Sequence, residues 1–438
     1  MVETTGDGPL RDDGEQTLDG PMHGDGEQTL GGLVAAHHLA TVEDLPGLVA
    51  GYAGLIGFSQ PTLYVADLQH QFLVPLPGQY DADGEPLKRI RIDTTLAGRA
   101  FRSMEIIQTR LADPSHHPED TSTRLLTEQD PRRLWMPLLD GTERVGALGV
   151  NVSGGDEVIR WRAAQLASLT ALLITSKRAA SDTYARLVRT QPMQLSAEVL
   201  WTLLPMRTFA TERVMVSAAL EPAYLVGGDA FDYAVAGDTL HLSIFDAMGH
   251  DTAAGLTATI AMGACRNSRR QGAGLLARSE VIDAAIAEQF GGDRFATGVL
   301  ADLDTRTGLL SWVNRGHHPP LVLRGGRLVA MLEAPADPPM GFGMGAFTEP
   351  SHYQLEPGDR LLFYTDGIIE AKNPAGQEFG LERFVDFVVR READGVPPPE
   401  TLRRLIQTLL EHQQDHLDDD ATVLLVEWRT QMYHRLLL

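Results

Sequence analysis

Short apolar strands in the second half of this chain repeatedly run into an aspartate with a small residue beside it. In "LHLSIFDAMGH" (240–250), Leu240, Leu242 and Ile244 alternate with period two, as in a strand with one face in a core, and Asp246 follows with Ala247 behind it. "LVGGDAFDYAV" sets Asp229 after a glycine pair, and "DRLLFYTDGIIEA" sets Asp366 between an apolar strand and Gly367. "LDDDATVLLVEW" sets Asp419 and Asp420 just before the strand Thr422 to Val426. A single aspartate at a strand end is ordinarily a turn-former, because its carboxylate bonds to nearby backbone N–H groups. Four strand-end sites, each flanked by residues that let backbone or an ion approach closely, read together as a ligand set.

Hard divalent ions such as Mg²⁺ and Mn²⁺ take oxygen ligands in octahedral geometry and keep several waters. Asp229, Asp246, Asp366 and Asp419 carry four negative charges, which two divalent ions would cancel. Without metal the cluster repels itself and some members must take up protons. Two ions ~3.5–4 Å apart can hold a hydroxide and stabilise both oxygens of an in-line phosphoryl displacement. The formal charge of the chain, −22, fits cation recruitment and argues against a nucleic-acid partner, which needs a basic footprint.

The 438 residues suggest two or three domains. Residues 1–30, Gly- and Asp-rich with "DGEQTL" at 13–18 and again at 25–30, read as a disordered acidic tail. In 31–178, "LVAAHHLATVEDLPGLVAGYAGLIG" is helical in period, "PTLYVADL" and "RIRIDTT" read as strands, and "TLAGRAFRSMEIIQ" reads as a short helix. "LWMPLLDGTERVGALGVNV" predicts a hairpin with Asp140-Gly141 near its turn, closed by an amphipathic helix over "IRWRAAQLASLTALLITSKRA". Helical spacing continues through a linker at 179–206, with a new helix expected from Pro192. Such a linker is placed to carry a signal, to serve as a simple spacer packed on either domain, or to pair two copies in a homodimer. Residues 207–430 then change to short strands with Gly-Asp turns. Cys265 is the only cysteine, so no intrachain disulfide forms and a reducing compartment is expected. No apolar run of membrane-spanning length and no leader pattern occurs, so the expectation is a cytoplasmic chain without a membrane partner.

Helix, antiparallel strands, hairpin and closing helix make residues 31–178 resemble a GAF-type sensor domain. "VGGDAFDY", "DAMGHDTAAGL", "VNRGHHPPLVLRGG", "LEPGDRLLFYTDGIIEAKN" and "DDDATVLLV" are similar to the successive motifs of the SpoIIE/RsbU-like branch of PPM (2C-like) serine/threonine phosphatases. The likeness spans roughly residues 190–428, and "QLSAEVLWTLLP" looks like the helix that opens that domain. The fold class this resemblance implies is α+β: a GAF-like domain followed by an α-β-β-α sandwich with a two-metal centre, Mn²⁺ or Mg²⁺, between its sheets. It implies that Asp229 holds the first metal and Asp246 bridges both, that the Ala247 carbonyl adds a backbone oxygen, and that Asp366 and Asp419 complete the ligand set of the second metal. Asp420 then lies outside direct ligation, and Asp232 is second-shell or structural. The activity implied is attack of a metal-bridging hydroxide on phosphoserine or phosphothreonine of an anti-anti-sigma factor of the STAS type.

Two departures from the family pattern stand out. Ala247 replaces the common glycine after the bridging aspartate, and "GHD" replaces "GHG", so Asp251 either caps the following helix or crowds the metals. The cap is the expectation, since an acid favours a helix's first turn. His250 and His317 are candidates to assist the leaving group, with a satisfied structural histidine the expected role for each. "HQQDH" (412–416) has the i, i+4 spacing of a zinc site but lacks a third ligand, and "SHH" (115–117) reads as surface. Tyr64, Phe72 and Trp135 are expected in a core rather than around a ligand. The alternative from another class is a catalytically silent phosphatase-like protein that sequesters a regulator.

Overall fold

The computed structural model describes residues 31–111, 127, 129–222, 224–225, 227–335, 337–414, 417 and 419–429. The "DGEQTL" copies, "SHH" and His416 of "HQQDH" lie outside the described residues.

The first helical stretch is two helices, α1 (31–37) and α2 (Leu45–Leu55), where one was expected. The Thr41 N–H and hydroxyl both donate to the Asp44 carboxylate at 2.8 Å, tightening the turn between them, and Pro46 suits the first turn of α2. Six strands follow: β1 (Ser59–Ala66), β2 (Phe72–Pro75), β3 (Ile90–Arg91), β4 (Ile107–Arg110), β5 (Arg132–Asp140) and β6 (Glu143–Val152). They form one antiparallel sheet in the order β3-β2-β1-β6-β5-β4. The strand expected over "RIRIDTT" shrinks to two residues because Thr95 caps α3 (Leu96–Ser103), its hydroxyl accepting the Gly98 N–H. "EIIQ", expected at the end of that helix, supplies β4, since Met104 turns left-handed (φ 57°) and stops α3. The β5–β6 hairpin turns at Asp140-Gly141, with Gly141 at φ 61°. Helix α4 (Glu157–Arg178), capped by Asp156, packs on β5 and β6. Tyr64 and Trp135 sit in a small core with Leu73 and Phe101, and Phe72 lies under the Arg89 guanidinium.

Helices α5 (Asp182–Val188) and α6 (Leu195–Leu203) lead onward. The helix expected from Pro192 begins at Leu195, after the Gln194 N–H has bonded to the Tyr224 carbonyl. Ala197 and Leu200 of α6 are buried in the core of the region that follows.

That region stacks two antiparallel sheets. The first runs β15-β12-β11-β10-β9, from β9 (Asp229–Ala236), β10 (Thr239–Ala247), β11 (Ala296–Asp304), β12 (Leu309–Arg315) and β15 (Ser351–Gln354). The second runs β14-β13-β16-β17-β8-β7, from β7 (Thr208–Ala210), β8 (Val214–Glu221), β13 (Leu321–Arg324), β14 (Arg327–Met331), β16 (Arg360–Tyr364) and β17 (Ala421–Trp428). Strand β17 shows how period two builds the layers. Leu424, Val426 and Trp428 enter the core shared with Ile244 and Phe245 of the first sheet. Val423 and Leu425 point the other way, into a core with Phe384, Leu405 and Leu409 of α10 (Leu381–Ala393) and α11 (Pro398–His412). Helices α7 (Thr252–Arg270) and α8 (Leu275–Phe290) cover the first sheet, giving an α-β-β-α order. Among the described residues no helix is long and apolar enough to cross a membrane.

The N-terminal sheet and the sandwich meet along a charged seam. Arg144, just past the hairpin turn, pairs with Glu400 of α11 at 3.2 Å, and both are almost fully buried. Glu400 also accepts from Arg403 and Arg404 at 2.8 Å, and Arg403 reaches Asp93 at 2.6 Å. Glu143 accepts from the N–H and hydroxyl of Thr208, and Gln69 donates to Glu221 of β8 at 3.0 Å.

Candidate active site

The sandwich gathers the aspartates at one end, where strands of both sheets stop. Asp229 opens β9 and Asp246 lies near the end of β10, and the register makes them direct cross-strand partners, their Cα atoms about 4.5–5.5 Å apart by strand geometry. From the facing sheet come Asp366, opening the single-turn helix α9 (Asp366–Ile369) after β16, and Asp419 and Asp420 ahead of β17. Ala247 and Gly228 lock the first sheet's side. The Ala247 N–H donates to the Gly228 carbonyl at 3.0 Å, and a Cβ on Gly228 would stand 2.2 Å from the Ala247 carbonyl oxygen. Likewise a Cβ on Gly367 would meet the Asp420 carbonyl oxygen at 1.9 Å, so only glycine lets α9 approach β17 this closely.

The carboxylates feel one another. Burial, then the charges of Asp420 and Asp246, push Asp229 well above the ordinary carboxylate range. Burial, then Asp366, Asp419 and Asp420, push Asp246 up to about 7. No Lys or Arg pairs with Asp229, Asp246 or Asp420 among the described residues, although Asp232, three residues beyond Asp229, pairs with Arg266 and Arg269 at 2.6 and 2.8 Å. Asp232 is thus held structurally, tying β9 to α7.

Asp420 turns its carboxylate to the backbone, accepting from the N–H groups of Gly227, Gly228 and Asp229 at 2.7, 2.7 and 3.1 Å. Burial still raises it to about 6, against those hydrogen bonds. Asp419 is exposed and Asp366 half-buried. Among the described residues, no three His, Cys, Asp or Glu side chains stand in an arrangement that would hold a metal ion. The donor set itself, carboxylates plus the Ala247 carbonyl, is all oxygen and suits a hard divalent cation. Its unbalanced negative charge is what such a cation relieves.

Asp251 caps α7, accepting the Ala254 N–H at 2.8 Å, and its other oxygen pairs with Arg294 at 2.7 Å. Arg294 and the Ala254 N–H hold its carboxyl below the usual range. His250 is exposed. His317 is half-buried, its main chain clasped by Asn314 at 2.8 Å on both sides. Its Nε2 faces the Tyr364 carbonyl at 3.1 Å, which can only accept, so Nε2 carries the proton and Nδ1 accepts from the Thr297 hydroxyl at 2.8 Å. Burial pushes this imidazole down to about 3, so it stays neutral. His412 of "HQQDH", at the end of α11, faces the Gln377 carbonyl and Arg383.

Two site residues carried no sequence signal strong enough to single them out. The Thr365 hydroxyl donates to Asp229 at 2.6 Å and accepts the Thr422 N–H at 2.9 Å, stitching the two sheets together at the carboxylates. Thr297 is the cross-strand partner of Asp246. Thr365 could have been noticed as the neighbour of Asp366; Thr297 is found only through the strand register.

Residues 236–429 match the family described as Stage II sporulation protein E (SpoIIE). A stretch of 133 residues, 30% of this chain, is 28% identical to Protein IcfG of Synechocystis sp. and spans 20% of that protein's length. Similar solved structures include the RsbU and RsbW domains of a Mycobacterium tuberculosis protein (25% identity, TM-score 0.43, 49% of this chain and 62% of that one). Another is the SiaA-PP2C domain of Pseudomonas aeruginosa (21% identity, TM-score 0.45, 54% and 94%). The α-β-β-α order and the carboxylates at the strand ends agree with the resemblance to PPM (2C-like) phosphatases that the sequence motifs carry. Over residues 236–429 the chain is similar to that SpoIIE family.

Proposed function

We propose that the chain is a metal-dependent protein serine/threonine phosphatase whose N-terminal region, GAF-like, regulates it, and whose substrate is a phosphorylated partner-switching regulator of the STAS type. The observation that carries the reading is the convergence of Asp229, Asp246, Asp366 and Asp419 from two sheets onto one end of the sandwich, with no counter-cation on Asp229 or Asp246 among the described residues. In this reading Asp229 and Asp246 hold one cation, and Asp246, Asp366 and Asp419 hold a second, with the Ala247 carbonyl as a further oxygen. Two bound Mn²⁺ or Mg²⁺ ions supply an activated water and neutralise charge on the phosphoryl oxygens. The chain's own groups place those carboxylates: Thr365 orients Asp229, Asp420 gathers the 227–229 amides into a fixed turn, and Gly228 and Gly367 allow the close approach. His317, neutral and doubly bonded, serves as scaffold between β11 and β16, and supplies no proton.

The second reading, a silent phosphatase-like binding protein, is favoured by one observation: no three ligands are pre-arranged around a common point among the described residues. Hydrolysis of an aryl phosphate and of a phosphoserine peptide, with Mn²⁺, with EDTA and in Asp246→Asn, separates the two. Turnover that needs both Mn²⁺ and Asp246 supports the enzyme. No turnover, with calorimetry also finding no Mn²⁺ binding, leaves the silent protein.

A further inference from the structure

The segment joining β14 to β15 holds apolar side chains in solvent on a frame that is itself buried. In "GFGMGAF" (341–347) glycines alternate with Phe342 and Met344, which are 43% and 60% exposed. The N–H groups of Gly341, Gly343 and Gly345 all donate to the carboxylate of Asp283 on α8, at 2.6, 3.0 and 2.8 Å. Arg315, fully buried at the end of β12, donates to the carbonyls of Pro338 and Gly345 at 2.7 and 2.9 Å. Buried Asp337 accepts the Phe347 N–H at 2.9 Å and the Thr348 hydroxyl at 2.6 Å. A Cβ on Gly341 would meet the Arg294 carbonyl oxygen at 2.4 Å, so only glycine lets the segment lie this close to the start of β11. These bonds fix the backbone with Phe342 and Met344 outward.

The strand register runs this segment into the carboxylate end. Asp246 opposes Thr297, and Ala247 opposes Ala296. The Met248 N–H donates to the Phe295 carbonyl at 3.0 Å, so the pairing continues one step past β10 and Met248 stands opposite Phe295. Side chains two apart on a strand share a face, so Met248 and Phe295 extend the face that carries Asp246. The Phe342 ring packs on Phe295 with centroids 5.2 Å apart, and Met248 is 37% exposed. Met248, Phe295, Phe342 and Met344 line up as an apolar ridge leading away from the carboxylates. Exposed apolar groups gathered in one place mark sites of association, and methionine adapts to varied apolar partners.

The geometry points to this ridge as the docking surface for the phosphoprotein itself, taking an apolar side chain about two to four residues from the phosphorylated serine or threonine. The occupant follows from continuity: a phosphoryl group bound at the strand ends brings the flanking chain of the same molecule across Met248 and Phe342. Met248 lies two residues past Asp246, about 7 Å along the strand, and an extended substrate advances about 3.3 Å per residue. The contact therefore falls about two residues out at Met248 and further out at Phe342. The four ridge side chains carry no charge, so they select an aliphatic or aromatic residue by the apolar surface it buries. This assignment rests on the phosphatase reading and adds to it the substrate feature that is recognised.

The test compares two phosphoserine peptides on the full chain with Mn²⁺. One has leucine at the second to fourth positions on both sides of the phosphoserine, and the other has serine there. The leucine peptide should show kcat/KM at least tenfold higher, with the difference in KM. Phe342→Ser combined with Met344→Ser should bring that ratio to about one, and the ratio cancels any general effect on the chemistry. Fluorescein-labelled versions of both peptides, titrated by anisotropy, give the same comparison without turnover. A tenfold affinity difference that the double variant removes supports the ridge even where neither peptide is hydrolysed, and that pair of results would sink the phosphatase reading alone. Equal values for the two peptides, or a preference that survives the double variant, overturn the proposal. Sedimentation velocity covers the competing occupant: a dimer of the unmodified chain that the double variant splits would give the ridge to a second copy and overturn it too.

Discussion

This molecule buries acidic groups in two places and treats them in opposite ways. At the seam, Glu400 is gripped by Arg144, Arg403 and Arg404, and although burial works against its ionisation, Arg403 and Arg144 hold its carboxyl below the ordinary range. At the strand ends, Asp229 and Asp246 face other carboxylates, and burial together with that repulsion drives both upward. Charge compensated within the chain makes a structural joint. Charge left uncompensated in a fixed cradle makes a place for a cation from outside. Asp232 marks the boundary between the two: it lies three residues from Asp229, is equally buried, and is fully matched by Arg266 and Arg269.

The largest effect should come from removing a strand-end carboxylate. Asp229→Ala, Asp246→Asn or Asp366→Asn should each lower Mn²⁺-dependent phosphate hydrolysis by about 10³-fold or more, with the circular dichroism spectrum kept. Retained activity in two of them would erase the contrast between the regions. Next is the seam. Glu400→Gln removes the carboxylate shared by Arg144, Arg403 and Arg404, leaving the buried Arg144 without a counter-charge and Arg403 with Asp93 alone, and should cost roughly 3–5 kcal/mol of unfolding free energy, read by urea titration. The same substitution logic applied at the site, Asp246→Asn in metal-free protein, should instead stabilise, because it removes a repelled charge. A destabilised Asp246→Asn would show that the cluster is compensated after all.

The third prediction concerns pH. Asp246 titrates near 7 in the folded chain against about 4 unfolded, and Asp229 and Asp420 shift the same way. The folded state therefore binds more protons across that window, and stability falls as pH rises through it. Metal-free protein should show a thermal midpoint that declines between pH ~4 and ~7, and saturating Mn²⁺ at the upper end should restore it. A flat metal-free profile over that range would contradict the cluster's electrostatics. The smallest effect is expected at Asp251→Gly, a slight drop in thermal midpoint with Mn²⁺-dependent turnover unchanged, since Asp251 points to α7 and Arg294 rather than to the carboxylates. A marked rise in turnover would mean that Asp251 crowds the metals.

Much of the architecture was legible in the sequence because it depends on local period. The alternation in "LHLSIFDAMGH" and "ATVLLVEW" predicts strands, and each became one, β10 and β17. Errors fell where one residue's conformation decided the outcome: Met104 turning left-handed ended α3 and released β4, and the Thr41–Asp44 turn broke the first helix in two. The four aspartates were visible as strand-end residues, and Asp251 as a helix cap.

Chain order alone supplies the inventory: which carboxylates end which strands, and which small residues flank them. That follows from nearest-neighbour chemistry, since period and turn propensity act over a few residues. Which acids are answered and which are not is set by the folded arrangement. Arg266 meets Asp232 across 34 residues, Arg144 meets Glu400 across 256, and Thr365 meets Asp229 across 136. Charge compensation acts through space, over a few ångströms, between groups that chain order leaves far apart.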